Sequence, residues 1–337
     1  MSQAVSGLGP GRPSRTSIMV AAGRAFGARE PDESVRNPDW LVERFLGPVE
    51  RQLIHEHPIA AALDQNYELA RQNAEVAGTT NLMLARTRFV DDHLRRALDR
   101  GVRQVVILGA GFDTRAYRFE EMLKGGRVFE VDFHSTQELK KQRVAEVFGT
   151  APAHVVFVET DFKRDTLLGV LRDVGYQPNE QAFFVWEGVS MYLTEDSVRA
   201  TLRAIATGSA PGSSLVMDYA CRATIDAMAM SPNLPQHRYS THWGEPWIFG
   251  VPDNGEREFF RSCGLDLRES LSLIRGAALK RYLTRADGTT LGRGRMKPPN
   301  AVAGFRLMAS LWPLFWLGLT RRSQWYVLAE LVVPARS

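Results

Sequence analysis

Apolar residues change their spacing once along this chain, at Gly101. From about Thr16 to Arg100 they recur three and four positions apart, as in Trp40, Leu41, Phe45 and Leu46 and again in Leu82, Leu84, Phe89, Leu94 and Leu98. That is the period of helices turning one face to a core. Pro31, Pro38, Pro48 and Pro58 cut the region into short pieces, and Gly101 closes the last one as a helix C-cap would. Beyond it stand short continuous apolar runs: Val105–Leu108, Val128–Val131, His154–Val158, Ala182–Trp186 and Ser214–Met217. Runs without alternation are the mark of strands buried on both faces. Helical patterns at Arg115–Lys124, Gln137–Phe148, Arg164–Val174 and Glu195–Thr207 separate them. Strand–helix alternation of this kind predicts a parallel sheet with helices on both faces. Two later strands are expected at Leu265–Leu273, after the turn at Gly264, and at Trp325–Val333.

This pattern divides the chain into a flexible Gly-, Ser- and Pro-rich tail over 1–13, a helical cap over 14–100 and an α/β domain over 101–337. Two long stretches exceed what a minimal alternating domain needs, about 221–254 and 276–322. Long irregular segments in compact domains tend to be lids or binding loops, so both are candidates for enclosing a substrate.

Composition narrows the function classes. With 44% hydrophobic and 24% charged residues the chain is an ordinary globular sequence. Its net charge of +4 is spread thinly, without the clustered basic footprint of a nucleic-acid binder. Cys221 and Cys263 make no disulfide scaffold, no His/Cys spacing suggests zinc, and no metal is expected; a reducing cytoplasm is the default compartment. The first thirty residues hold no secretory apolar stretch. The longest apolar run, Leu307–Leu319, has thirteen residues and contains Pro313. A spanning helix needs roughly 20, so a buried or pocket-lining segment is expected there, with membrane contact only weakly hinted.

Candidate chemistry collects at the ends of the strands. Gly109, Ala110 and Gly111 follow the first strand and open a helix, where small residues let the backbone approach a ligand. A dinucleotide fingerprint would place a third glycine at position 114; Thr114 stands there, which argues against NAD. Asp132 ends the second strand, twenty-one residues after Gly111, the place of an acid that accepts the hydroxyls of an adenosine ribose. Phe133 follows it. Asp161, after the third strand, is placed to accept from an adenine amino group, with Phe162 as an apolar wall. Glu187 ends the fourth strand. Ligands of open α/β sheets bind outside the carboxyl ends of the strands, and four successive strand ends here carry a turn or an acid.

These residues carry a resemblance. Residues 105–118, VVILGAGFDTRAYR, together with Glu187-Gly188-Val189-Ser190-Met191-Tyr192-Leu193, resemble the signatures of the leucine carboxyl methyltransferase-like family of S-adenosylmethionine-dependent methyltransferases, in particular its bacterial secondary-metabolite O-methyltransferase branch. Ala85-Arg86-Thr87-Arg88 with Asp91-Asp92, Phe129–Asp132 and Glu159–Phe162 are similar to it as well. The resemblance implies a Rossmann-like class I methyltransferase fold, with a seven-stranded, mostly parallel sheet and S-adenosylmethionine as cofactor. It implies that Arg86 binds the methionine carboxylate, that Gly109 and Gly111 pass under that moiety, that Asp132 and Asp161 hold ribose and adenine, and that Glu187 lies near the amino group. Guanidinium pairs with carboxylate bidentately, which gives Arg86 its own rationale. Asp113 and Arg115 are expected to brace the turn as an ion pair, and Tyr192 to border the cofactor or the core.

Methyl transfer from a sulfonium is an in-line displacement in which the enzyme aligns the nucleophile and excludes water. A carboxylate acceptor needs no base; a hydroxyl would benefit from one. His134, His237 and His242 are the candidate bases, with the Tyr219 hydroxyl as an orienting group, and Arg222 is placed to attract an acidic acceptor. Trp243 and Trp247 beside the histidines suit an apolar or aromatic small molecule. The reading is therefore an O-methyltransferase acting on a hydroxyl or carboxyl oxygen of a small, polyketide-like acceptor. A carboxyl methyltransferase acting on a protein or small molecule, a non-catalytic cofactor-binding protein of the same fold and an NAD-dependent oxidoreductase are the competing readings.

Overall fold

A computed structural model of the chain describes residues 13–160, 167–230, 235–273, 277–292 and 325–335. The N-terminal helices are α1 (Arg15–Gly27), α2 (Pro48–Leu53), α3 (Pro58–Ala62), α4 (Tyr67–Ala70) and α5 (Ala74–Asp99). The alternating part runs β1 (Gln104–Leu108), α6 (Arg115–Arg118), β2 (Arg127–Asp132), α7 (His134–Phe148), β3 (Val155–Glu159), α8 (Leu167–Asp173), β4 (Ala182–Trp186), α9 (Glu195–Gly208) and β5 (Ser214–Ala220). Then follow α10 (Arg222–Met230), α11 (Pro235–His242), α12 (Glu256–Ser262), β6 (Asp266–Ser272), α13 (Ala277–Tyr282) and β7 (Tyr326–Val332).

Local chemistry sets these boundaries. Ser14 and Asn73 cap α1 and α5 by accepting from backbone N–H groups of the first turn. Pro48 and Pro58 stand at the first position of α2 and α3, where a missing N–H costs nothing. The turn at Gly101 sits at φ +92°, which favours glycine. One expected helix is shorter than its pattern: α6 stops at Arg118, after which the chain turns inward and buries Phe119 and Leu123.

The sheet has seven strands in the order β3-β2-β1-β4-β5-β7-β6. The first five are parallel; β7 runs antiparallel to both β5 and β6. The strand order reverses between β1 and β4, and the crevice beyond their carboxyl ends is where such sheets take ligands. Alternate residues of each strand feed two cores. Val105, Ile107, Phe183, Val185 and Val216 face a cluster holding Ile18, Phe26, Phe89 and Leu94 of α1 and α5. Val106, Leu108, Phe184, Trp186 and Met217 face the other, with Leu202 and Phe260. The N-terminal helices thus supply one layer of the sheet's own core. No helix among the described residues is long and apolar enough to cross a membrane. The apolar run 307–319 and most of the expected insertion over 276–322 lie outside the described residues.

Candidate functional site

The crevice holds an open cleft lined by α1, by Arg86 of α5, by the turn after β1, by the ends of β1, β2 and β4 and by Gly188, Val189, Tyr192 and Leu193. The turn makes the floor. Gly109, at φ +66°, runs against Val189, whose Cγ2 would lie 2.4 Å from an added Cβ. Gly111, at φ +43°, passes Ser17. Four of the turn's N–H groups are already spent: Gly109 and Ala110 both donate to the Val131 carbonyl (2.8 and 3.0 Å), Gly111 donates to Asp132 Oδ2 (2.6 Å) and Asp113 to the Ala110 carbonyl (2.7 Å). A pyrophosphate would therefore meet no free amides at these positions, only the Asp132 carboxylate. A ribose would meet an acceptor. Asp132 also accepts from Phe133 N (2.7 Å), and each of its oxygens keeps a further lone pair. Burial pushes its carboxyl up to about 6.

At the other end of the cleft lies a buried ion-pair network. Arg86 reaches Asp218 (Nε to Oδ2, 2.9 Å) and Glu187 (Nη2 to Oε1, 3.1 Å). Arg115 meets Glu187 Oε2 (3.0 Å), Asp91 Oδ1 (2.7 Å) and Asp113. Arg118 joins Asp91 and Asp39, and Arg24 of α1 joins Asp39 (3.2 Å) and donates to the Phe112 carbonyl (3.1 Å). Burial raises the acids and the facing guanidiniums lower them: Asp113 is held down to about 2 by Arg115 and Arg24, Glu187 is lowered by Arg115 and Arg86, and at Asp218 burial outweighs Arg86 and the carboxyl is raised. Tyr326 of β7 donates to Asp218 Oδ2 at 2.6 Å, and Gly188 N donates to its Oδ1 at 2.6 Å.

The expected residues divide by place. Arg86, Gly109, Ala110, Gly111, Asp132, Phe133 and Glu187 all line the cleft, as do Asp113 and Tyr192. Asp161 and Phe162 lie outside the described residues. The expected catalytic set is not assembled here. Tyr219 is 1% exposed, with its ring against Phe260 in the core on the other face of the sheet; the pleat turns Asp218 toward the site and Tyr219 away from it. His242 sits on the solvent side of α11 and meets Glu56 at 3.4 Å, because that helix lies against the N-terminal layer. His237 falls on the same helix, its side chain outside the described residues. His134 opens α7 in solvent beside Glu159 (3.0 Å), and Arg222 pairs with Glu195 (3.6 Å). None of His134, Arg222 and His242 lines the cleft.

Several residues were not anticipated. Asp218 carried a signal, an acid inside the apolar strand Ser214–Ala220, whereas the partners Arg118 and Asp39, far apart in sequence, carried little. Arg24 and Tyr326 carried none, since each sits in an ordinary local pattern. Glu245 was equally silent. It accepts from Ser14 Oγ (3.2 Å), Arg15 N (3.0 Å) and Thr16 N (3.2 Å), closing the first turn of α1 over the cleft.

The residues present fit an adenosyl amino-acid cofactor. Arg24 Nε is a buried donor with no hydrogen bond, so capacity for a carboxylate remains at the network end, where Glu187 on the cleft wall offers an acid to a cation. Asp132 offers an acceptor at the other end, and the glycine floor leaves room between them.

Comparison with known proteins agrees. The family model described as leucine carboxyl methyltransferase matches residues 17–206, more than half of the chain. YktD of Bacillus subtilis (strain 168), whose name places it among S-adenosyl-L-methionine-dependent methyltransferases, is 30% identical over 270 residues, 77% of this chain and 88% of its own length. A Streptomyces avermitilis protein named for the same activity is 36% identical over 144 residues, 43% of this chain and half of its own length. Among solved structures, a methyltransferase from Thermobifida fusca aligns over 96% of both chains with a TM-score of 0.50 and 13% identity, a likeness of fold.

Proposed function

The chain belongs to the leucine carboxyl methyltransferase family and is an S-adenosylmethionine-dependent methyltransferase, and from this we propose that it methylates a carboxyl or acidic hydroxyl oxygen of a small, apolar or aromatic molecule. One observation carries the acceptor class. Tyr192, a wall of the cleft, meets the Trp247 ring edge-on at 6.4 Å, and Trp247 lies beside Tyr326 at 5.6 Å, so a largely buried aromatic cluster adjoins the cofactor cleft. Leu82, Ile225 and Leu273 extend it as partly buried neighbours.

In this reading Asp132 accepts from the ribose hydroxyls, Arg86 and Arg24 face the methionine carboxylate, and Glu187 faces the ammonium. Asp161 and Phe162 hold the adenine. When bound, the cofactor supplies a methyl group on a sulfonium, open to in-line attack by an oxygen lone pair. The protein positions the two partners and excludes water between them. The residues that line the cleft include no histidine and no lysine among those described. An oxygen already ionised at neutral pH fits such a lining, because it needs no proton acceptor. This favours a carboxylate or an acidic phenol over an aliphatic alcohol.

The test is a screen of the full chain with S-adenosylmethionine against aromatic carboxylic acids, phenols and alcohols, with methylated products read by mass. Methyl esters or aryl ethers are expected. Methylation confined to the C-terminal carboxyl of peptides would replace the small-molecule reading with the protein one.

A further inference from the structure

We propose that the cleft selects its methyl donor over the demethylated product by charge, through a buried excess of carboxylates that a cationic ligand offsets and a neutral one does not. The guanidiniums of Arg24, Arg86, Arg115 and Arg118 are four, and the carboxylates they or the cleft hold are six: Asp39, Asp91, Asp113, Asp132, Glu187 and Asp218. The nearby Lys140 pairs with Glu130 (2.8 Å), whose carboxyl burial pushes up to about 7. Carboxyl groups therefore outnumber guanidiniums by two in the site, and by one when Asp132 is set aside as protonated. The ion-paired side chains are at most 10% exposed, so water and salt screen them little.

S-adenosylmethionine carries a sulfonium, an ammonium and a carboxylate, a net charge of one positive. In the transfer the C–S bond breaks, its electron pair stays on sulfur and a C–O bond forms to the acceptor. An ionised acceptor oxygen becomes a neutral ester or ether, and a protonated one gives its proton to water. S-adenosylhomocysteine remains, with no net charge. The acids of the site stay where they are, so the favourable field acting on the donor has nothing to act on in the product. Product is then held more weakly than donor, and the same feature that recruits one expels the other.

Calorimetric titration of the full chain at pH 7 tests this with three ligands: S-adenosylmethionine, S-adenosylhomocysteine and sinefungin, in which an ammonium-bearing carbon replaces the methylsulfonium. Both cationic ligands are expected to bind about tenfold more tightly than S-adenosylhomocysteine. Asp113→Asn, which removes one negative charge at the cleft wall, is expected to narrow that gap. In the unmodified chain the gap is expected to shrink at pH 5, below the region where Asp132 protonates, which gives a measurement independent of the variant's folding. S-adenosylhomocysteine binding as tightly as the two cations overturns the proposal, and so does a gap indifferent to both changes. Binding of none of the three overturns it together with the cofactor assignment.

Discussion

Asp132 shows how one side chain ties the fold to the cofactor. Its carboxylate closes the glycine turn through Gly111 and Phe133 and keeps accepting capacity toward the cleft. Asp132→Ala removes charge-assisted acceptors, and cofactor affinity measured by calorimetry is expected to fall about a hundredfold. The pH dependence has two signs. With a folded value of about 6, above the usual 3.8, the group favours the folded state at pH below 3.8 and loses that contribution as pH rises through about 6. Ribose binding uses the ionised form, so affinity is expected to drop as pH falls below about 6, and the drop should vanish in Asp132→Ala. Of the residues around it, the strand-end acids were legible because an acid interrupting an apolar run is conspicuous. Arg24 and Tyr326 were not legible, because nothing in their neighbours says what they meet.

Elements obey the same division. The central strands β1 and β4 were readable almost to the residue: both are buried along their whole length, so burial leaves continuous apolar runs, and β5 runs three residues past its apolar stretch, through Asp218. Helices were less sharp. The expected Arg115–Lys124 shrinks to α6, because burial of Phe119 and Leu123 outweighs local propensity. The first turn of α1 depends on a remote residue: Glu245 lies 229 positions from Thr16 yet accepts from its amide. It combines a cap with a carboxylate at the positive end of a helix. Glu245→Ala is expected to lower stability by about 1–2 kcal/mol in denaturant titration. Cofactor affinity should fall with it, because Ser14, Thr16 and Ser17 line the cleft. A variant that lost stability but kept full affinity would show that α1 is packing alone.

At the scale of the whole molecule, the N-terminal helices and the sheet share one core and one ion-pair network. Ile18, Phe26 and Phe89 pack on Val105, Ile107 and Val185, while Arg86–Asp218, Arg118–Asp39 and Arg115–Asp91 join the same parts electrostatically. Residues 101–337 expressed alone would expose that sheet face and leave Asp218 without Arg86, the guanidinium it pairs with. An uncompensated buried charge costs about 3–5 kcal/mol, a large share of a typical stability. The fragment is expected to be insoluble or unfolded by circular dichroism. In the full chain, tryptophan fluorescence and far-ultraviolet circular dichroism should report one coincident unfolding transition. Separate transitions would show that the N-terminal layer folds by itself.

The sequence by itself determined the strand order of events along the chain, the turn after β1 and the acid that answers it. Burial imposes periodicity, and tight turns impose glycine, locally. Only the tertiary structure decided that Asp218 faces the site while Tyr219 faces the opposite core, that His242 meets Glu56 rather than the cleft, and that Arg24 and Glu245 belong to its walls. Those outcomes depend on which distant groups a side chain reaches once helices lie on the sheet, and no local pattern encodes a partner 229 positions away.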